Sequence, residues 1–205
     1  CLIADEVHSV FGRSGAFFAY QHFGITPDII SMAKGMGNGF PISALAGKRK
    51  IMKHCSKIFF SSTFGGETLS LVAAISVIDY IKKYDVIKQI NKLGDKIIIE
   101  INNHLIHSKI DFIKIKGHPS WSFFIFKDYK KYSKETLKTF FLEKSIEKGI
   151  LTFGTNNLNY SHKSKDVNEI INIYKTILSD IKNKVSSNKK LIKYKEIKNL
   201  FQVRK

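Results

Sequence analysis

The sequence predicts an α/β fold of two units, and three observations carry that expectation. Two short apolar runs, residues 1–5 (CLIAD) and 28–33 (DIISMA), stand 22 residues apart, more than the dozen or so that a parallel crossover needs. Two long segments follow, 68–83 and 85–107, whose apolar residues fit helices. Beyond them, strand-like runs alternate with two more helical patterns, so a smaller α/β unit is expected over 108–185.

Taken in order, residues 1–5 and 28–33 read as neighbouring parallel strands, which places their carboxyl ends on the sheet edge where ligands bind. Residues 43–47 form a short strand of small residues, and 57–61 an apolar one. Gly35, Gly37 and Gly39 do not make a dinucleotide fingerprint, because Phe40 stands where its last glycine belongs; a Walker lysine is absent too. They read as a tight backbone turn. Thr68–Lys83 is apolar nearly all round (Leu69, Leu71, Val72, Ile75, Val77, Ile78, Ile81) and is expected to be buried. The amphipathic helix over 85–107 closes the first unit, residues 1–107.

In the second unit, 110–116 and 121–127 are paired strands around a turn at 117–119. Ser133 caps a helix that runs to Lys148 and stops at Gly149. Residues 150–153 form a strand, and Asp166 caps a helix with Val167, Ile170, Tyr174, Ile177, Leu178 and Ile181 on one face. Residues 186–205 hold seven basic residues and one acid, Glu196. Leu191, Tyr194, Ile197 and Phe201 would share a helical face there, but a solvated extension is the expectation.

The net charge of +17 raises nucleic acid or an anionic membrane as partner. Yet residues 1–47 hold two basic residues (Arg13, Lys34) and three acidic ones (Asp5, Glu6, Asp28), a net of −1. The excess lies elsewhere, among lysines mixed with isoleucine and asparagine, and reads as compositional bias. Neither nucleic acid nor membrane is expected as partner. Cys1 and Cys55 make no disulfide framework, and no apolar run is long enough to span a bilayer, so a cytoplasmic location is expected. His104 and His107 give no zinc pattern, and no metal is expected. Gly12-Arg13-Ser14-Gly15 is not a nucleophile elbow, so hydrolase chemistry has no support.

The chemistry resides in two residues. Asp5 closes the first apolar run and Lys34 follows the second. A lysine at the end of a buried strand is poorly solvated, which makes its amine nucleophilic toward an aldehyde. An aspartate on the neighbouring strand stays ionised against a cationic partner, and a protonated pyridine nitrogen is one. Together they are how a protein holds pyridoxal phosphate (PLP), with Lys34 forming a Schiff base and Asp5 keeping the ring an electron sink. These two residues alone fit a capping aspartate and a surface lysine before a glycine turn at least as well.

The surrounding motifs decide between the two. Asp5-Glu6-Val7, Phe11-Gly12-Arg13, Pro27-Asp28, Lys34-Gly35 and Gly39-Phe40-Pro41 follow in order, and a second block, SSTFGGETLSLVAA, spans 61–74. This pattern resembles class III PLP-dependent aminotransferases, in particular the glutamate-1-semialdehyde aminomutase-like branch, and the likeness persists to about residue 181. The resemblance implies a fold-type I PLP-transferase, represented here by the second half of its large-domain sheet and the small C-terminal α/β domain. Lys34 is then the Schiff-base lysine and Asp5 the ring-nitrogen partner. Val7 packs on the ring face, and His8 takes a position that in relatives can contact the ring hydroxyl. Thr63 serves the phosphate of a neighbouring subunit, so a homodimer is expected.

The expected function is amino-group transfer between an amine or amino acid and a carbonyl acceptor. A 2,1-aminomutase is the alternative, and a non-catalytic basic module on a decayed enzyme fold the second. His162 matches a histidine common in the aminomutase-like branch, while 154–166 holds no arginine to clamp a carboxylate. The resemblance further implies the C-terminal part of a longer enzyme, with the glycine-rich phosphate cup and the ring-stacking aromatic upstream of Cys1. An incomplete, inactive fragment is therefore expected.

Overall fold

The first two apolar runs pair as parallel strands, and the site is built on them. The computed structural model describes residues 1–59, 63–192 and 195–197, and the chain divides into two units, Cys1–Asn91 and Lys92–Lys205. In the first, β1 (Ile3–Asp5) lies parallel to β2 (Ile29–Met32), with Ile3 opposite Ile29 and Asp5 opposite Ser31. β3 (Ala44–Gly47) joins the other side of β2 antiparallel. The ladder runs one residue past β1, where the Glu6 N–H donates to the Ser31 carbonyl at 2.9 Å.

Asp28 pins the opposite end of the sheet. Its carboxylate accepts from the Leu2 N–H (2.7 Å) and pairs with Lys48 (2.6 Å), just past β3. One side chain thus ties all three strands. The Lys48 bond first, and the Leu2 bond second, hold its carboxyl below the usual carboxylate value.

The strand expected over 57–61 is not seen where it is described. α1 (Arg49–Met52) runs on into a 3-10 turn, Lys53–Lys57, and Ile58 and Phe59 are not in a strand; Phe60 and Ser61 lie outside the described residues. The Ser56 hydroxyl donates to the Lys53 carbonyl (3.0 Å), which keeps that stretch helical.

α2 (Thr68–Lys83) forms as expected, but its burial does not follow. Ser70 and Ala74 are buried, whereas Leu69 is 60% exposed, Val72 58% and Ile75 61%. Apolar residues all round a helix show that it can be buried on every side; in this chain one narrow stripe of it is covered.

α3 (Val86–His107) belongs to both units, which divide inside it between Asn91 and Lys92. Its start is tied to the first unit, where the Asn91 side-chain amide donates to the Gly15 carbonyl at 2.7 Å. Its remainder is tied to the second. Asn102 brackets Ile115 by accepting from its N–H and donating to its carbonyl. A Cβ on Gly94 would lie 1.8 Å from the Pro119 carbonyl oxygen, so only glycine lets the helix cross there.

The second unit is an antiparallel sheet, β4 (Ile113–His118), β5 (Trp121–Phe126) and β6 (Thr155–Asn157), with helices α4 (Lys134–Glu147) and α5 (Ser164–Ser186). Phe124, Phe141 and Tyr174 meet in its core with ring centroids 4.5–5.2 Å apart. Tyr174 is buried and donates to Asn156 (3.0 Å); burial pushes its hydroxyl up to about 12. Ser133 caps α4 through its hydroxyl, as expected, by accepting from the Thr136 N–H.

Three expectations need correction here. The β4–β5 turn is Pro119–Ser120, because Gly117 and His118 still pair with Ser122 and Trp121. The strand expected at 150–153 forms at Thr155–Asn157. The Thr152 hydroxyl binds the N–H groups of Gly154 and Thr155, folding that stretch into a turn that leaves Leu151 and Phe153 exposed. Asp166 lies inside the first turn of α5, not before it, and accepts from the N–H of the capping residue, Lys163 (2.8 Å).

The basic extension is docked where it is described. Leu191 is buried, the Ile197 N–H donates to Thr139 (2.9 Å), and Glu196 accepts from Ser133 and Thr136. Tyr194 and Phe201, on which the helical alternative rested, lie outside the described residues. No helix among the described residues is long and apolar enough to cross a membrane.

Candidate active site

Parallel pairing of β1 and β2 sends the chain out of both strands at one sheet edge, and the chemical residues stand there. Asp5 ends β1; Lys34 follows β2 after Ala33. Lys34 opens a 3-10 turn, Lys34–Met36, with φ +46°, in the left-handed region that residues with a Cβ seldom occupy. The chain turns sharply behind it, and a Cβ on Gly37 would come within 2.7 Å of the Phe40 carbonyl oxygen.

The Asp5 carboxylate is oriented by two bonds, both to Oδ1, from the Val7 N–H and the Ser31 hydroxyl, each at 3.1 Å. Oδ2 has no partner among the described residues. The Lys34 amine bonds His8 Nδ1 at 3.1 Å, and among the described residues it forms no ion pair with Asp5. Amine and carboxylate are therefore held by different partners.

Asp5 and Lys34 are both exposed in this chain. Val7 is half-buried beside Asp5, and His8 is exposed. The structure thus brings Asp5, Val7, His8 and Lys34 together. Thr63 is exposed at the head of the turn 63–66, and no hydrogen bond joins it to that group among the described residues. Nor is it a helix cap: the Glu67 carboxylate caps α2, accepting from the N–H groups of Leu69 and Ser70. Bonds from Ser70 hold the Glu67 carboxyl below its ordinary value. His162 closes a local turn with Asn159 ahead of α5.

Glu6 is the residue that sequence reasoning passed over. It is 2% exposed, and its carboxylate accepts from the Ser9 hydroxyl (2.5 Å) and the N–H groups of Ala19 (3.0 Å) and Tyr20 (2.8 Å). It thereby fixes the loop that carries Val7 and His8. The signal was in the strand alternation. Successive side chains point to opposite faces, so an aspartate facing the ligand edge puts the next glutamate inside. A buried carboxylate then needs donors.

The donor set fits PLP on its ring side, with an exposed primary amine for an aldehyde and an oriented carboxylate for a ring N–H. No group of three His, Cys, Asp or Glu among the described residues could hold a metal ion.

Comparison with known proteins bears on this geometry. Acetylornithine aminotransferase of Halalkalibacterium halodurans is 36% identical over 118 residues, covering 57% of this chain and 30% of that protein. Leucine/methionine racemase of Thermococcus litoralis is 43% identical over 93 residues, 45% of this chain and 21% of that one. The chain therefore spans less than a third of the length of these curated relatives. The structure of an omega transaminase from Pseudomonas jessenii in complex with PMP superposes with a TM-score of 0.75 at 20% identity, over 90% of this chain and 44% of that one. The fold is thus that of the fold-type I PLP-dependent transaminases. The family model described as aminotransferase class-III matches residues 1–178, and so the chain belongs to the class-III aminotransferase family.

Proposed function

We propose that this protein acts as a PLP-dependent aminotransferase, moving an amino group between an amine or amino acid and a carbonyl acceptor. The observation that carries the reading is the delivery of Asp5 and Lys34 to one sheet edge by parallel β1 and β2, each with a separate hydrogen-bond partner. Bound there, PLP supplies an aldehyde for amines and a protonated ring that accepts the electron pair released at the substrate carbon. Lys34 Nζ is the amine that holds the cofactor; released by substrate, it takes a proton from one carbon and returns it to another. Asp5 keeps a proton on the ring nitrogen, and the Val7 N–H and Ser31 hydroxyl orient it for that task.

Names of relatives refine the proposal. An acetylornithine-type amine is the substrate class that the first relative supports. Amino-group migration, the aminomutase reading, rests on the match at His162. In the same proposal the protein works as a homodimer in the cytoplasm, with Thr63 reaching the phosphate of a neighbouring subunit; exposed Cys1 and Cys55 suit a reducing compartment.

The racemase relative requires one discrimination, since proton transfer by Lys34 is common to both reactions. The protein with excess PLP is given N-acetylornithine, glutamate and leucine, and pyridoxamine phosphate and substrate chirality are both followed. Formation of pyridoxamine phosphate with the matching aldehyde or oxo acid supports amino transfer. Loss of chirality with no pyridoxamine phosphate would replace it by racemisation.

A further inference from the structure

We propose that His8 is the positioning residue for the Lys34 amine, a role that rests on the reading of Lys34 as the cofactor-holding lysine and assigns it a fixed partner within this chain. Lysine has a long, flexible stem, and an exposed amine on it samples many places unless something holds it. Here the backbone of Lys34 is left-handed, which aims the side chain back across the sheet edge, and His8 Nδ1 receives it at 3.1 Å. His8 is itself fixed at both sides. Before it, Val7 is bonded to Asp5; after it, Ser9 is bonded to the buried Glu6 carboxylate, and the Ser9 N–H donates to the Glu6 carbonyl.

The chemistry of the pair defines its direction. A lysine ammonium only donates, so Nδ1 accepts and the ring proton sits on Nε2. A neutral imidazole holds the amine without the ion pair that a carboxylate would make and that the amine would have to break before reacting. Asp5, the nearest carboxylate on this edge by sequence, is instead occupied by Val7 and Ser31 through Oδ1. The division of labour is that imidazole places the amine while the carboxylate stays with the ring nitrogen.

Substitution chemistry separates this role from a structural one. Asparagine places its Oδ1 where the histidine Nδ1 stands and accepts as Nδ1 does; alanine accepts nothing. The full chain is labelled with nitrogen-15, and the ring nitrogens of His8 are followed by long-range proton–nitrogen correlation, assigned by their loss in His8→Asn. Lys34→Met, which keeps the stem and removes the donor, is expected to move the His8 Nδ1 signal toward that of an unbonded nitrogen, while Lys48→Met leaves it in place. In parallel, PLP and cyanoborohydride are added at high pH. The Lys34 nitrogen bonds the aldehyde carbon, water leaves, and hydride makes the bond permanent. Labelling of Lys34 is expected to be roughly tenfold slower in His8→Ala and to return to within about threefold in His8→Asn, the scale that loss of orientation produces. An Nδ1 signal indifferent to Lys34→Met would overturn the pairing. A shifted signal with unchanged labelling in His8→Ala would overturn the positioning role. If the parent chain shows no label on Lys34 at all, the cofactor reading falls, and the nitrogen signal alone decides whether His8 holds the amine.

Discussion

Removing the Glu6 carboxylate is expected to release the loop that carries Val7 and His8, and the bonds it makes set the size of the effect. Glu6 Oε2 accepts from the Ser9 hydroxyl and the Ala19 N–H, and Oε1 from the Tyr20 N–H, all around a side chain 2% exposed. In Glu6→Ala both backbone N–H groups lose their acceptor at the start of the 3-10 turn Ala19–Phe23. At about 1.5–3 kcal/mol for each of these two bonds to a charged acceptor, with Ser9 able to turn elsewhere, the loss is about 3–6 kcal/mol. Glu6→Gln keeps one oxygen. Whichever way its amide faces, one N–H donor meets the new NH2, which costs about 1–2 kcal/mol. Native-state hydrogen exchange of the Ala19 and Tyr20 amides is the assay. Glu6→Gln should lower the protection of one of them roughly tenfold and leave the other near the parent value, since 1.4 kcal/mol is a tenfold change. Glu6→Ala should expose both. Unchanged protection in Glu6→Ala would refute the assignment of Glu6 as the loop's anchor.

Asp5→Asn should leave PLP attachment to Lys34 largely intact but slow amino transfer by roughly a hundredfold, because an amide cannot hold the ring proton with a full charge; rapid-mixing absorbance of half-reactions checks this. The folded Asp28 carboxyl lies below the usual 3.8, so its contribution to stability is present above that pH and is lost as pH falls through the folded value. Urea midpoints should therefore drop more steeply with acid in the parent than in Asp28→Asn, and parallel profiles would contradict the Lys48 and Leu2 bonds as the cause. Gly94→Ala should destabilise the second unit by about 2 kcal/mol or more, since its Cβ meets the Pro119 carbonyl, a backbone atom that cannot swing aside. A denaturation midpoint equal to the parent's would mean that α3 does not cross the hairpin there.

The parallel pair β1–β2 was legible because two apolar runs with enough chain between them permit a parallel crossover. The Ser133 cap was legible because a hydroxyl before a helical pattern has one main use. What escaped depended on partners distant in sequence or on single dihedrals. Helix α2 was read as buried from composition, which says which side chains could be covered and not what covers them. Strand β6 moved past Gly154 because the Thr152 hydroxyl made a turn of residues whose apolar character suggested a strand. The extension docks through the buried Leu191, the Glu196 carboxylate and the Ile197 backbone N–H, contacts in a lysine-rich stretch that periodicity cannot distinguish from a solvated tail. At the site, position, chemistry and the surrounding motifs together pointed to Asp5 and Lys34. The bond between Lys34 and His8 depends on a left-handed φ at Lys34 that no residue preference announces, and the buried role of Glu6 lay in the alternation next to Asp5.

The most direct test of the account is where PLP attaches. The chain is incubated with PLP, reduced with borohydride, digested and mapped by mass spectrometry, with Lys34→Ala as control. The account predicts pyridoxyl on the peptide carrying Lys34, ahead of every other lysine in this lysine-rich chain, and its disappearance in Lys34→Ala. Label spread evenly over surface lysines, or concentrated on another one, would contradict the assignment of Lys34 and with it the proposed chemistry.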